Sequence, residues 1–129
     1  MTGVLIDTSV WVAHFRQCNA ELVRLLALDG ALMHPLVQAE LACGTPPEPR
    51  ARTLADLGLL PPVRQASLTE VLAFVERERL YGLGCGVVEL VLLASTLLTP
   101  GAVLWTLDKR LAALAGRFGV SYAPGDGWH

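Results

Sequence analysis

Val4-Leu5-Ile6-Asp7-Thr8-Ser9-Val10-Trp11 is the stretch from which the fold of this chain is read. Three consecutive apolar residues followed at once by a carboxylate predict a short strand buried on both faces, the kind that parallel sheets use. Thr8 or Ser9 is placed to cap a helix running through Trp11, Val12 and Phe15. The alternation continues downstream. A helix from Ala20 to Asp29 turns Leu22, Leu25, Leu26 and Leu28 inward and stops at Gly30, and Ala31 to His34 reads as a second strand ended by Pro35. A short helix then carries Glu40 and is expected to terminate on Gly44 as a glycine cap.

Thr45-Pro46-Pro47-Glu48-Pro49 is a loop within one domain, because too little chain lies on either side to form two. Arg50 to Leu57 is helical, and Ser67-Leu68-Thr69-Glu70 spells a capping box for another helix. The run from Val87 to about Leu98 is helical and apolar nearly all round, which predicts a place at the centre of the fold. Pro100-Gly101 turns the chain into a strand from Val103 to Thr106, Asp108 caps a last helix to about Ala115, and Val120 to Ala123 is a final strand. Strands alternating with helices imply a single α/β domain over residues 1–129, a sandwich with a central, mainly parallel sheet.

Of the 129 residues, 53 % are hydrophobic and 17 % charged, which leaves little polar surface and predicts an apolar interface with a partner or a second copy. The net charge of −2 gives no overall basicity of the kind that marks nucleic-acid binding. Nine of the ten basic residues are nevertheless arginine, the side chain suited to bidentate phosphate contacts. Most of these are expected to be solvated on helix faces. Cys18, Cys43 and Cys85 are odd in number and lack metal-ligand spacing, so reduced, mostly buried thiols and a cytoplasmic location are expected. Gly82 to Trp105 carries a single charge, but its glycines, Pro100 and the central Glu89 argue against a membrane-spanning helix.

Four carboxylates stand out because each interrupts or ends an apolar run: Asp7, Glu40, Glu89 and Asp108. An unpaired ionised carboxylate in a core costs about several kcal/mol. Lys and Arg are absent from these neighbourhoods except for Lys109 and Arg110. Asp7 and Asp108 fall just past the carboxyl ends of two strands, where open parallel sheets bind ligands. If the four converge, a divalent cation is the usual means of holding them, and hard cations such as Mg2+ or Mn2+ take oxygen ligands. One ion, or two about 3.5–4 Å apart, would serve in-line displacement at phosphorus with a metal-activated water as nucleophile. The bland alternatives are helix caps for Asp7 and Asp108 and an exposed helix position for Glu40, whereas Glu89 lies on a helix with no polar face. His14, His34 and His129 are read as surface or structural histidines.

Leu5-Ile6-Asp7-Thr8-Ser9-Val10-Trp11 resembles the opening of the PIN-domain ribonucleases, specifically the VapC toxins of bacterial toxin–antitoxin pairs. Val37-Gln38-Ala39-Glu40-Leu41-Ala42-Cys43-Gly44 is similar to the family's second acidic motif. The third is matched by the stretch from Gly84 to Ser95 and the fourth by that from Leu104 to Leu111. The resemblance spans the whole chain in order. It implies an α/β/α sandwich of the PIN type and an Mg2+- or Mn2+-dependent endoribonuclease. It also implies a homodimer held inactive by a VapB-type antitoxin. Asp7, Glu40, Glu89 and Asp108 would line the metal pocket, Thr8, Ser9 and Thr106 would support it by hydrogen bonds, and Lys109 and Arg110 would contact RNA phosphates. One departure is Glu89, where the family carries Asp. It keeps open a second reading, a degenerate PIN-type scaffold that binds protein or RNA without cutting. A phosphatase of the haloacid dehalogenase type would need a second Asp where Ser9 stands. Trp11, Phe15, Leu41 and Leu60 are candidates for a groove that takes an antitoxin helix.

Overall fold

The computed structural model describes residues 3–124. Its first strand, β1 (Gly3–Ile6), is buried along its whole length and sits in the middle of a three-stranded sheet of order β2-β1-β3. Both neighbours are parallel to it. Val4 and Leu5 face Ala31 and Leu32 of β2 (Ala31–Leu32), while Gly3 to Ile6 run beside Ala102 to Trp105 of β3 (Ala102–Trp105).

Between β1 and β2 lie α1 (Thr8–Arg16) and α2 (Ala20–Ala27). Between β2 and β3 come α3 (Pro35–Cys43), α4 (Arg50–Leu57), α5 (Leu68–Glu78) and α6 (Val87–Leu98), and α7 (Lys109–Arg117) follows β3. The first crossover moves outward from β1, and the second passes back over β1 to its other side. Right-handed crossovers in opposite directions deposit helices on opposite faces, which gives the α/β/α sandwich. The order reverses between β1 and β3, so the crevice beyond their carboxyl ends is the expected ligand position.

The sheet is wider than its three strands. Met33 bridges Pro62 in parallel, with its amide donating to the Pro61 carbonyl and its carbonyl accepting from Val63. Proline lacks an N–H, but its neighbours supply the donors, so the edge is paired all the same. On the opposite side the expected strand from Val120 to Ala123 is reduced to one parallel bridge, Leu104 with Ser121. The Leu104 amide donates to the Val120 carbonyl and the Tyr122 amide to the Leu104 carbonyl.

Local signals place most helix ends. The Ser67–Glu70 capping box is present in both directions, and α6 has the expected bounds. Three ends differ. Asp7, not Thr8 or Ser9, is the N-cap residue of α1, and its side chain makes no capping bond. α2 stops at Ala27, two residues early, because Asp29 turns left-handed (φ 55°). Gly44 ends α3 in an extended conformation (φ −100°), not a left-handed one, and the Arg50 guanidinium donates to the carbonyls of Ala42 and Gly44 instead.

Core residues of β1 meet Leu22, Leu25, Val37, Leu92, Leu93 and Leu111 in one buried cluster. The centre of α6 is buried from Leu90 to Thr96, whereas Val87 and Leu98 at its ends are exposed. The hydroxyls at its centre and end are satisfied. Ser95 Oγ accepts from the Ala66 amide, and Thr99 Oγ1 just beyond the helix accepts from the Arg64 amide. Leu68 and Leu72 of α5 and Val87 of α6 form an exposed apolar strip, with exposures of 65, 67 and 58 %. The thiols are not mostly buried: Cys18 and Cys43 are exposed and Cys85 partly so, and all three are free. No helix among the described residues is long and apolar enough to cross a membrane.

Candidate active site

Asp7 closes β1, and its amide donates to the Trp105 carbonyl, so the backbone at this point belongs to the β1–β3 seam. The residue is 8 % exposed. A carboxylate held there needs donors, and two hydroxyls provide them: Ser9 Oγ and Thr106 Oγ1 each donate to Asp7 Oδ2 at 2.7 Å. Those hydroxyls are fixed in turn, because Ser9 Oγ accepts from the Leu107 amide (3.1 Å) and Thr106 Oγ1 from the Asp108 amide (3.0 Å). Both hydroxyls therefore deliver to the same carboxylate oxygen, and they lie 3.5 Å from each other. Asp7 Oδ1 takes no hydrogen bond among the described residues.

Asp108 is joined to Asp7 through Thr106. It is the N-cap of α7 and accepts from the amides of Arg110 (2.9 Å) and Leu111 (3.0 Å) with Oδ1 alone. The capping role read from the sequence is therefore real and occupies one oxygen, leaving Oδ2 for other work. Glu40, on the second turn of α3, is exposed, and its Oε1 accepts from Thr8 Oγ1 at 2.6 Å. Thr8 adjoins Asp7, so the first turn of α1 reaches both acids: Ser9 turns toward Asp7 and Thr8 toward Glu40.

Glu89 is held differently. It lies in the first turn of α6, is partly buried, and has no hydrogen bond among the described residues. Its side chain folds back toward its own helix start, with Oε2 3.2 Å from the position a Cβ on Gly86 would take. That corrects the expectation that Glu89 has no ordinary explanation, since a carboxylate in a first helical turn is favoured by the helix dipole. Burial also separates the four acids. Only Asp7 is buried, because Glu40 and Asp108 sit on helix turns that face solvent.

Cys85 shows that Glu89 and Asp108 share a neighbourhood. Burial chiefly, and then the negative charges of Asp108 and Glu89, push its thiol above the ordinary value, while Arg110 acts in the opposite sense. Neither Cys85 nor the glycines around it stood out in the sequence as site residues. The signal was the run Gly82-Leu83-Gly84-Cys85-Gly86, three glycines in five residues beside an acidic motif.

Among the described residues no three His, Cys, Asp or Glu side chains close on a point that would hold a metal ion. The donor chemistry nonetheless suits a hard cation. The acids offer oxygen only, and Asp7, Glu40 and Asp108 each have one oxygen pinned by a donor and the other unengaged, as ligating carboxylates with outer hydrogen-bond partners do. Mg2+ is usually bound by one or two carboxylates with waters and substrate phosphate, so a ready-made cage is not required.

The other sequence candidates fall elsewhere. His34 is buried and caps α3, with Nδ1 accepting from the Leu36 amide at 3.0 Å. Burial lowers its pKa. His14 Nδ1 accepts from the Asn19 amide. Both are structural, and His129 lies outside the described residues. Lys109 is exposed on the outer side of Asp108. Trp11 is core, whereas Phe15 and the floor residue Leu41, itself buried, line a cleft with Val12, Arg16, Pro46 and Glu40 that opens beside the site. Leu60 is partly buried against the core and does not line it.

Residues 4–117 match the PIN domain family. The chain is 46 % identical over 122 residues to Ribonuclease VapC32 of Mycobacterium tuberculosis, strains CDC 1551 / Oshkosh and ATCC 25618 / H37Rv, covering 93 % of this chain and 96 % of each relative. No solved structure gives a significant match. A carboxylate at the end of each of two adjacent parallel strands, two more on flanking helices, and agreement with the family over nearly the whole chain lead to one conclusion: this protein belongs to the PIN-domain family, among its VapC-type members.

Proposed function

We propose that the protein is a divalent-metal-dependent endoribonuclease, the toxin of a type II toxin–antitoxin pair. The observation that carries the reading is Asp7, a buried carboxylate at a strand end with one oxygen clamped by two hydroxyls and the other left open. The VapC32 relatives, named as ribonucleases, support RNA as substrate. Asp7, Glu40, Glu89 and Asp108 would hold Mg2+ or Mn2+. Bound there, the ion would activate water for in-line attack on a phosphodiester and neutralise charge developing on the phosphate. Ser9 and Thr106 orient Asp7 by donating to one of its oxygens and leaving the other free for the ion. Thr8 does the same for Glu40. Lys109 and Arg110 are the basic groups nearest Asp108 in sequence and are assigned to substrate phosphates.

A second copy and a VapB-type antitoxin complete the reading. The apolar strip of Leu68, Leu72 and Val87 suits the first, and the cleft at Phe15 and Leu41 beside Glu40 suits an antitoxin helix. The alternative, a PIN-type scaffold that binds without cutting, draws on Glu89, which is longer than the family's Asp and makes no hydrogen bond among the described residues. Cleavage of a labelled single-stranded RNA pool by antitoxin-free protein decides between them. Cutting supported by Mg2+ or Mn2+, abolished by EDTA and absent in Asp7→Asn establishes the nuclease. No cutting together with no metal binding by calorimetry establishes the scaffold.

A further inference from the structure

Gly84 has a left-handed backbone (φ +88°), and a Cβ placed on it would stand 2.6 Å from Nη1, 2.7 Å from Cδ and 2.9 Å from Cζ of Arg110. The Arg110 side chain therefore lies flat across the backbone of Gly84, in space that any other residue would fill. Its amide is tied to Asp108 Oδ1 (2.9 Å), and its charge is felt at Cys85 together with those of Asp108 and Glu89. The guanidinium thus lies at the edge of the carboxylate group, yet it makes no ion pair or hydrogen bond among the described residues. Arg24, Arg52, Arg77 and Arg117 pair with acids and Arg50 caps α3, whereas the guanidinium groups of Arg16, Arg64 and Arg79, like that of Arg110, have no such partner among the described residues. A guanidinium beside two acids would ordinarily pair with one of them. This one is exposed and lies against Gly84 with its donors open.

We infer that Gly84 is a positioning residue, which by lacking a Cβ seats the Arg110 guanidinium at the rim of the carboxylate site so that it grips an RNA phosphate. This rests on the proposed RNA substrate but not on cleavage. A guanidinium matches two phosphate oxygens at once, and its fork, once pre-set, loses little freedom on binding. Lys109, one residue earlier, has no comparable seat.

The two neighbouring glycines supply the experiment. Gly82 is also left-handed (φ +72°) but would meet nothing within 4 Å, so Gly82→Ala carries the backbone strain without displacing Arg110. Binding of a labelled single-stranded RNA pool is followed by anisotropy over a range of salt in EDTA, and cleavage is measured separately with Mn2+. Arg110→Ala is expected to weaken binding about tenfold and to reduce the slope of log K against log salt by about 0.7, the value for one phosphate on a single strand. Gly84→Ala should weaken it severalfold in the same way, the double variant should be no worse than Arg110→Ala, and Gly82→Ala should match wild type. Arg110→Lys keeps the charge and should keep the slope. An unchanged slope in Arg110→Ala overturns the inference, as does equal loss in Gly82→Ala and Gly84→Ala, or wild-type protein that binds no RNA. Arg110-dependent binding without cleavage in any metal would instead sustain the inference and reject the nuclease.

Discussion

Asp7 and Glu89 bring the same charge to the same edge of the sheet and are held in opposite ways. Asp7 is buried, stands on the central strand, and receives two hydroxyl protons on one oxygen from Ser9 and Thr106. Glu89 is partly exposed, follows the glycine-bearing segment 82–86, and leans over Gly86 with no hydrogen bond among the described residues. One side of the site is pre-organised by the fold, and the other is free to adapt to what binds. A site of that kind should be intolerant of change on the Asp7 side and tunable on the Glu89 side.

The largest effect should come from Asp7→Asn. Cleavage in Mn2+ is expected to fall by more than the ~10–100-fold that losing an outer hydrogen-bond partner costs, while the melting temperature holds, since Asn keeps the shape and one oxygen for the Ser9 and Thr106 donors. Thr106→Val comes next. It deletes the donor to Asp7 and the acceptor of the Asp108 amide together, so metal affinity by calorimetry should fall about 10–100-fold. If Thr106→Val instead left affinity unchanged, the pre-organised side would not be what binds metal. Glu89→Asp should have a smaller and opposite effect: Mg2+-supported cleavage should rise a few-fold relative to Mn2+, because the shorter side chain has fewer rotamers and Mg2+ demands near-ideal octahedral geometry. A loss comparable to that of Asp7→Asn would erase the distinction between the two sides.

This asymmetry was only half legible in the sequence. Val4–Ile6 as a buried parallel strand, the Ser67–Glu70 capping box and the bounds of α6 were readable because each is set by signals a few residues apart. The four acids were readable as a set from the apolar runs they interrupt. Their burial was not, because exposure depends on which side of a helix faces the sheet, and Glu40 and Asp108 face out. Thr8 and Ser9 look like caps in sequence, but the Thr8 hydroxyl bonds Glu40, 32 positions away, and the Ser9 hydroxyl bonds Asp7 while accepting the Leu107 amide, 98 positions away. The end of α3 is finished by Arg50, beyond a proline-rich loop, which no local pattern announces. The seat of Arg110 on Gly84 is likewise a contact between distant segments.

Glu40 extends the comparison to a third acid, and its helix is where pH should act. α3 starts at His34, whose buried Nδ1 accepts the Leu36 amide and therefore must carry no proton. Burial holds the folded pKa below the ordinary value of 6.5. Between those two values the unfolded chain binds more protons than the folded one, so the stabilisation is complete above about pH 6.5 and is lost as pH falls through the folded pKa, by at most about 1.4 kcal/mol per pH unit. His14, also lowered by burial, adds a loss of the same sign. His34→Asn replaces the ring with a residue that caps well without titrating. Its melting temperature at pH 7.5 should be somewhat lower, from the lost ring volume, but should decline less than that of wild type between pH 7 and pH 5. Parallel declines in the two proteins would mean that protonating His34 does not unseat α3, and Glu40 would then belong with Asp7 on the rigid side of the site at every pH in this range.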